Sequence, residues 1–261
     1  MRTLLAIGIG AGDPEFVTIQ AVNALNTVDV FFVFDKQGPG IDLSQARRAV
    51  CERYIRDPRY RVVELANPSR DRAATEYAGA VRDWRDKRAE LLEQAIEAEL
   101  PDGGRGGILV WGDPTLYDST IRVFDTLVER GRLQLDYQVI PGISSISALA
   151  ARHRIPLNQV AAPVHVTTGR RLAQGLPDNT DDVLVMLDRA DADLSCTYLR
   201  EGGWHIYWGA YLGTEHEALR AGPLAGVIDE INHARRELRE QHGWLMDTYL
   251  LRREWPFGPR E

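Results

Sequence analysis

The chain has 261 residues, 44% of them apolar and 26% charged, with a formal net charge of −7 at neutral pH. Those values fit a globular protein with a real core in one large or two ordinary domains, and the acidic balance argues against general nucleic-acid affinity. No apolar run reaches the roughly 18–20 residues needed to span a bilayer. The two cysteines, Cys51 and Cys196, lie far apart without Cys or His at ligand spacing, so neither a disulfide framework nor a metal site is expected.

Leu4–Ile9 is an apolar run of strand length that ends in a glycine-rich turn. It is too short for a signal peptide, so the cytoplasm is the expected location and no membrane partner is expected. Thr18 is a good N-cap for a helix carrying Ile19, Val22 and Leu25. Val28–Phe34 reads as a second buried strand, Leu43–Ile55 as a helix and Tyr60–Leu65 as a third strand. Arg72–Leu100 is a long amphipathic helix with Ala80, Trp84, Leu91, Leu92 and Ile96 available for packing. Gly107–Trp111 is a fourth strand, Ser119–Glu129 a helix, Leu135–Ile140 a fifth strand, and Pro141–Ser145 opens a helix through Ala151. Apolar strands alternating with helices imply a mainly parallel sheet covered on both faces.

Past Arg152 the rhythm changes, which places a domain boundary between an N-terminal α/β domain, 1–152, and a smaller α/β domain with a mixed sheet, 153–261. Strands are expected over Val164–Thr168, Val183–Leu187, Trp204–Leu212 and Leu245–Leu251, with weaker helices between them. Glu215–Gly222 is a candidate hairpin partner of the preceding strand.

A glycine-rich turn after a first strand suggests a nucleotide or an adenosyl cofactor. Gly8 and Gly10 fit the start of a dinucleotide fingerprint, and Asp35 stands where a ribose-binding carboxylate would. Asp13 occupies the place of the third glycine, however, which disfavours a nicotinamide-dependent oxidoreductase. More informative is the repeat of Gly-Asp-Pro, at Gly12-Asp13-Pro14 and Gly112-Asp113-Pro114, each just after a strand. Glycine permits close backbone approach, aspartate holds the turn or accepts from a ligand, and proline fixes φ. Either turn alone could be merely well made; both at the carboxyl ends of one parallel sheet face the same ligand-binding edge.

Gly8 through Thr18 resembles the N-terminal signature of the tetrapyrrole methylases. Gly112-Asp113-Pro114-Thr115-Leu116-Tyr117 is similar to their second motif and Pro141-Gly142-Ile143-Ser144-Ser145 to their third. Val185-Met186-Leu187 and Ala210-Tyr211-Leu212-Gly213 are similar to later segments of the cofactor site. Ala11, Phe31–Lys36, and Asn67–Arg72 through Tyr77, Trp84 and Arg88 resemble the deacetylating branch that acts on a corrin precursor in cobalamin synthesis. The resemblance implies a two-domain fold, a homodimer, and S-adenosyl-L-methionine (SAM) bound between domains. It also implies methyl transfer to C-1 of a polycarboxylate precorrin with release of acetate. Carried over position by position, the implied SAM contacts are Ala11, Gly112, Asp113, Leu116, Ser144, Ser145, Met186, Leu187 and Ala210. Many relatives have proline where Ala11 stands, and often glycine where Trp111 stands.

Asp35, ending the second strand, is the first candidate for a catalytic base, against a role tied to Lys36 or capping a turn. Tyr117 is a candidate donor to a substrate carbonyl, against simple packing; His153 and His165 read better as structural residues. Arg70 and Arg72 are the best-placed receptors for substrate carboxylates, then Lys36, Arg47 and Arg48. Arg170-Arg171 and Arg235-Arg236 read as solvated surface. The competing readings are a methylase of another precorrin, uroporphyrinogen, diphthamide or RNA, the oxidoreductase, and a non-catalytic SAM- or tetrapyrrole-binding module.

Overall fold

The computed structural model describes residues 1–35, 43–69, 77–177, 180–189 and 192–253, which fall into two compact units parting between Ser144 and Ser145. No helix among the described residues is long and apolar enough to cross a membrane.

The first unit is a five-stranded sheet of β1 (Arg2–Gly8), β2 (Val30–Asp35), β3 (Arg61–Ala66), β4 (Arg105–Val110) and β5 (Leu135–Ile140). The strands run parallel in the order β3-β2-β4-β1-β5, so every carboxyl end opens on one edge. Alternation along the strands splits the core into two layers, as a sheet buried on both faces requires. Leu4, Ala6, Phe32, Phe34, Ile108 and Val110 pack against α3 (Tyr77–Glu99) and α4 (Thr120–Arg130). Leu5, Ile7, Phe31 and Leu109 face α1 (Ile19–Leu25) and α2 (Leu43–Tyr54). Thr18 caps α1 as expected, its Oγ1 accepting from the Ala21 N–H at 3.1 Å. The expected start of the long helix at Arg72 lies outside the described residues.

The second unit carries α5 (Ser145–His153), β6 (Val164–Thr168), α6 (Gly169–Leu172), β7 (Asp182–Met186), β8 (Trp204–Ala210), β9 (Ala218–Pro223), α7 (Leu224–His242) and β10 (Asp247–Arg253). The sheet is mixed, in the order β6-β7-β10-β8-β9, with only β6 and β7 parallel. The hairpin partner expected near Glu215–Gly222 is β9, antiparallel to β8. Helix α5 packs on β8 and β10 of this sheet, with Leu149 against Gly209, and therefore belongs to the second unit. The helix α7 is longer than the weak helices expected here. It buries Leu224, Ile228, Ile231 and Ala234 against Trp204, Ile206 and Trp208.

Candidate active site

Three turns meet at the carboxyl edge of the first sheet because four glycines let their backbones touch. Gly10 and Gly112, both at positive φ (83° and 70°), exchange hydrogen bonds: Gly112 N–H to Gly10 O at 2.8 Å and Gly10 N–H to Gly112 O at 3.3 Å. A Cβ on Gly142 would stand 2.1 Å from the Gly112 oxygen, and one on Gly8 2.6 Å from the Gly142 nitrogen. The turns after β1, β4 and β5 are thereby locked together. Ala11, 2% exposed, is packed inside the first turn. A Cβ on Gly112 would meet only the Ser144 Cα, at 3.9 Å, so this glycine has open space beside it.

The two Gly-Asp-Pro aspartates do the same work. Asp13 Oδ1 accepts from the Glu15 N–H at 2.9 Å, and Asp113 Oδ1 accepts from both the N–H and the hydroxyl of Thr115 at 2.7 Å. Of the two roles open to them, holding the turn is the one these bonds fill. Leu116 continues the second turn, its N–H donating to Asp113 O. Tyr117 follows at φ 52°, a left-handed conformation uncommon outside glycine, with its ring 47% exposed. Partial burial raises its phenol above the ordinary value. Ser144 ends the first unit and Ser145 begins α5.

In the second unit, β7 and β8 both run antiparallel to β10. Met186 pairs with Thr248, and Ala210 with Asp247, so the two strand ends emerge side by side across β10. Beyond them Leu187 (φ 52°, 63% exposed) and Tyr211 (φ 49°, fully buried) take left-handed conformations. Tyr211 is held by its N–H on Met246 O at 2.9 Å and by its hydroxyl on Trp244 O. Asp188 anchors the other end, accepting from Tyr249 OH at 2.7 Å, Ser195 N–H at 2.9 Å and the Ser195 hydroxyl. Burial pushes the Tyr249 phenol well above its usual range.

One reading of the sequence needs correcting. Arg235 is not solvated: it is 2% exposed and donates to Asp247 Oδ2 at 2.7 Å, an oxygen that also accepts from Trp208 Nε1 at 2.8 Å. Burial raises the Asp247 carboxyl, and the guanidinium opposes that rise. Periodicity carried the signal, since 224, 228, 231 and 235 form one helical stripe. Arg236, one residue on, is exposed and pairs with Asp193, as a surface residue should. His153 Nε2 lies 3.0 Å from Trp208 O, and burial lowers its pKa, which fits the structural reading. Asp35 ends β2 in register with Ala66, but its side chain, together with Lys36, Arg70 and Arg72, lies outside the described residues. Among the described residues no three His, Cys, Asp or Glu side chains are placed to hold a metal.

Arg88, named above only among the residues that resemble the deacetylating branch, lies at this edge. Arg88 lies over the rings of Phe34 and Trp84, 3.9 and 4.8 Å from their centroids, and donates to Ser119 Oγ at 3.1 Å. Its spacing of four residues from Trp84 on one helix face was the available clue.

A model of the tetrapyrrole (corrin/porphyrin) methylases matches residues 3–228. The precorrin-6A synthase (deacetylating) of Sinorhizobium sp is 46% identical over 253 residues, 97% of this chain and 96% of that protein. Among solved structures, the cobalamin synthesis related protein CobF from Corynebacterium diphtheriae matches with a TM-score of 0.82 at 34% identity, covering 97% of this chain and 98% of that one. Uroporphyrin-III C-methyltransferase from Thermus thermophilus, solved with S-adenosylhomocysteine, shares the fold at 17% identity and a TM-score of 0.57, over 95% and 96% of the two chains. With the family's pattern running through most of its length and a relative this similar from end to end, the chain belongs to the tetrapyrrole methylases.

Proposed function

We propose that this methylase converts precorrin-5 to precorrin-6A, adding a methyl group from SAM at C-1 and releasing acetate, in cobalamin synthesis. The observation that carries this reading is the 46% identity to a deacetylating precorrin-6A synthase along 97% of the chain. The reaction balances as precorrin-5, SAM and water giving precorrin-6A, S-adenosylhomocysteine, acetate and two protons.

SAM, when bound, supplies a methyl group already activated by its sulfonium. The residues left to hold it are Gly112, Asp113, Leu116, Ser144 and Ser145 after β4 and β5, and Met186, Leu187 and Ala210 at the ends of β7 and β8. Ala11 shapes the first turn from within. The open space beside Gly112 and the exposed Leu187 support a fit to an amphipathic adenosyl group. The protein's contribution to methyl transfer is then orientation of the ring carbon against the methyl group.

Deacetylation needs water to attack the acetyl carbonyl, with the electron pair of the broken C–C bond passing to the macrocycle. Asp35, ending β2 at the ligand edge, takes the water's proton, and the Tyr117 hydroxyl donates to the carbonyl. Lys36, Arg70 and Arg72 receive the substrate's carboxylates. The working form is a homodimer in the cytoplasm.

Anaerobic incubation with SAM and precorrin-5, followed by mass spectrometry, tests the reading. One added methyl with released acetate supports it. Methylation of another precorrin or of uroporphyrinogen instead moves the chain to another branch of the family. Failure to bind SAM or its demethylated product removes the methyltransferase reading for this chain.

A further inference from the structure

Buried charges in this protein are, as a rule, neutralised from within. Glu93, 6% exposed, takes Arg130 at 3.4 Å and Arg132 at 3.1 Å, and Arg235 takes Asp247. Arg88, partly buried, has no such counter-ion among the described residues. Among the described residues its Nε is buried without a hydrogen-bond partner, its guanidinium donates to the neutral Ser119, and no carboxylate lies within ion-pair distance. The nearest charges that bear on it are Asp118, which favours the cation, and Arg47, which disfavours it; burial outweighs both and lowers the group to about 10. Arg88 is therefore still a cation at neutral pH, and the neighbouring guanidinium of Arg47, whose Nε donates to Leu109 O at 3.3 Å, adds a second positive charge.

The setting explains why the cost is tolerated. Phe34 is the penultimate residue of β2, Ser119 follows the second Gly-Asp-Pro after β4, and Trp84 Nε1 donates at 2.9 Å to Pro68 O, just past β3. These three strands are neighbours in the sheet, so the guanidinium stands at the carboxyl edge, where parallel sheets bind ligands. Two aromatic faces and one hydroxyl fix its plane in advance, the geometry that suits a planar carboxylate. A structural arginine would be expected to close on an internal acid; a receptor keeps its counter-ion for the ligand.

We propose that Arg88, held by Phe34, Trp84 and Ser119, binds a peripheral acetate or propionate carboxylate of the tetrapyrrole substrate. This rests on the methylase reading above, and adds a substrate contact to it.

The test compares full-length wild type with Arg88→Gln and Arg88→Lys, measuring thermal unfolding, S-adenosylhomocysteine affinity by calorimetry, and KM and kcat for precorrin-5 at saturating SAM. Arg88→Gln is expected to raise KM by about ten- to hundredfold, the range for losing a charge-assisted hydrogen bond, with S-adenosylhomocysteine affinity unchanged. Arg88→Lys, which restores the charge without the fork, should fall between the two. If Arg88→Gln does not fold, the rise in KM for Arg88→Lys alone decides the question. A wild-type KM in the folded variants overturns the assignment. So does a parallel loss of stability and S-adenosylhomocysteine affinity that lysine does not restore. Wild-type protein that transfers no methyl group sinks the methylase reading and this contact with it, whereas normal wild-type turnover with an unchanged variant KM removes the contact alone.

Discussion

Replacing Gly142 with alanine puts a methyl carbon 2.1 Å from the Gly112 oxygen and 2.9 Å from the Gly8 Cα, where ordinary contact begins at 3.4 Å. The Gly112 carbonyl must retreat by about 1.3 Å (3.4 − 2.1), and no side-chain rotation relieves the clash because the three nearest atoms are all backbone. That carbonyl also accepts from Gly10, so its movement strains the Gly10–Gly112 pair. Overpacking costs about 1–3 kcal/mol and each weakened hydrogen bond about 1 kcal/mol, so Gly142→Ala should destabilise the first unit by about 2–5 kcal/mol. S-adenosylhomocysteine affinity should fall by about tenfold or more even where the protein stays folded, since 1.4 kcal/mol suffices for that. Urea unfolding followed by circular dichroism measures the first quantity and calorimetry the second. Gly226→Ala is the control: this helical glycine has nothing within 4 Å of an added Cβ, so the same change should stabilise by roughly 1 kcal/mol. A Gly142→Ala protein within 1 kcal/mol of the parent, binding S-adenosylhomocysteine normally, would refute the idea that close backbone approach builds this edge.

Asp247→Ala leaves Arg235 buried without its counter-ion and Trp208 Nε1 without its acceptor, and should cost about 3–5 kcal/mol by denaturant unfolding. The double replacement Arg235→Met with Asp247→Leu should be less damaging than either single change. Both cysteines are free and buried, with thiols raised to about 11 (Cys51) and about 12 (Cys196), chiefly by burial. A disulfide reagent at pH 8 should therefore react with neither thiol in the native protein and with both after unfolding. Asp35→Asn should slow acetate release by about 10²–10⁴-fold while S-adenosylhomocysteine still binds, as expected on losing a general base; release at the wild-type rate would disqualify Asp35. Burial holds the His153 pKa below its unfolded value, so the unfolded chain takes up the proton first as pH falls. Stability should accordingly drop as pH falls below about 6.5, and His153→Gln should narrow the difference in urea midpoint between pH 8 and pH 5.

The first unit was legible because its determinants are local. The inner strands β1, β2 and β4 are rich in apolar residues, Thr18 caps the helix it precedes, and the two Gly-Asp-Pro turns carry their own hydrogen bonds. The second unit was less legible because its determinants are distant partners. Nothing near Arg235 announces Asp247, which reaches it from the next element, and Asp188 is defined by Tyr249, 61 residues away. The site divides in the same way. The glycines that meet at the edge were readable as motifs, but their mutual contact was not, since Gly8, Gly112 and Gly142 touch only through the sheet order. Arg88 was readable as a residue of the family pattern, but its packing against Phe34 and Ser119, which come from other elements, was not.

The place of β10 bears on how the chain is made. This strand, Asp247–Arg253, lies between β7 and β8, which do not pair with each other. The first sheet has all its strands once residue 140 has left the ribosome, whereas the second stays split in two until residues 247–253 follow. Until then β7 and β8 present open hydrogen-bonding edges, and Arg235 and Trp208 wait for the carboxylate that will meet them both. A nascent or trimmed chain lacking those seven residues would carry a finished amino-terminal half and an adhesive remainder, a natural substrate for chaperones and proteases.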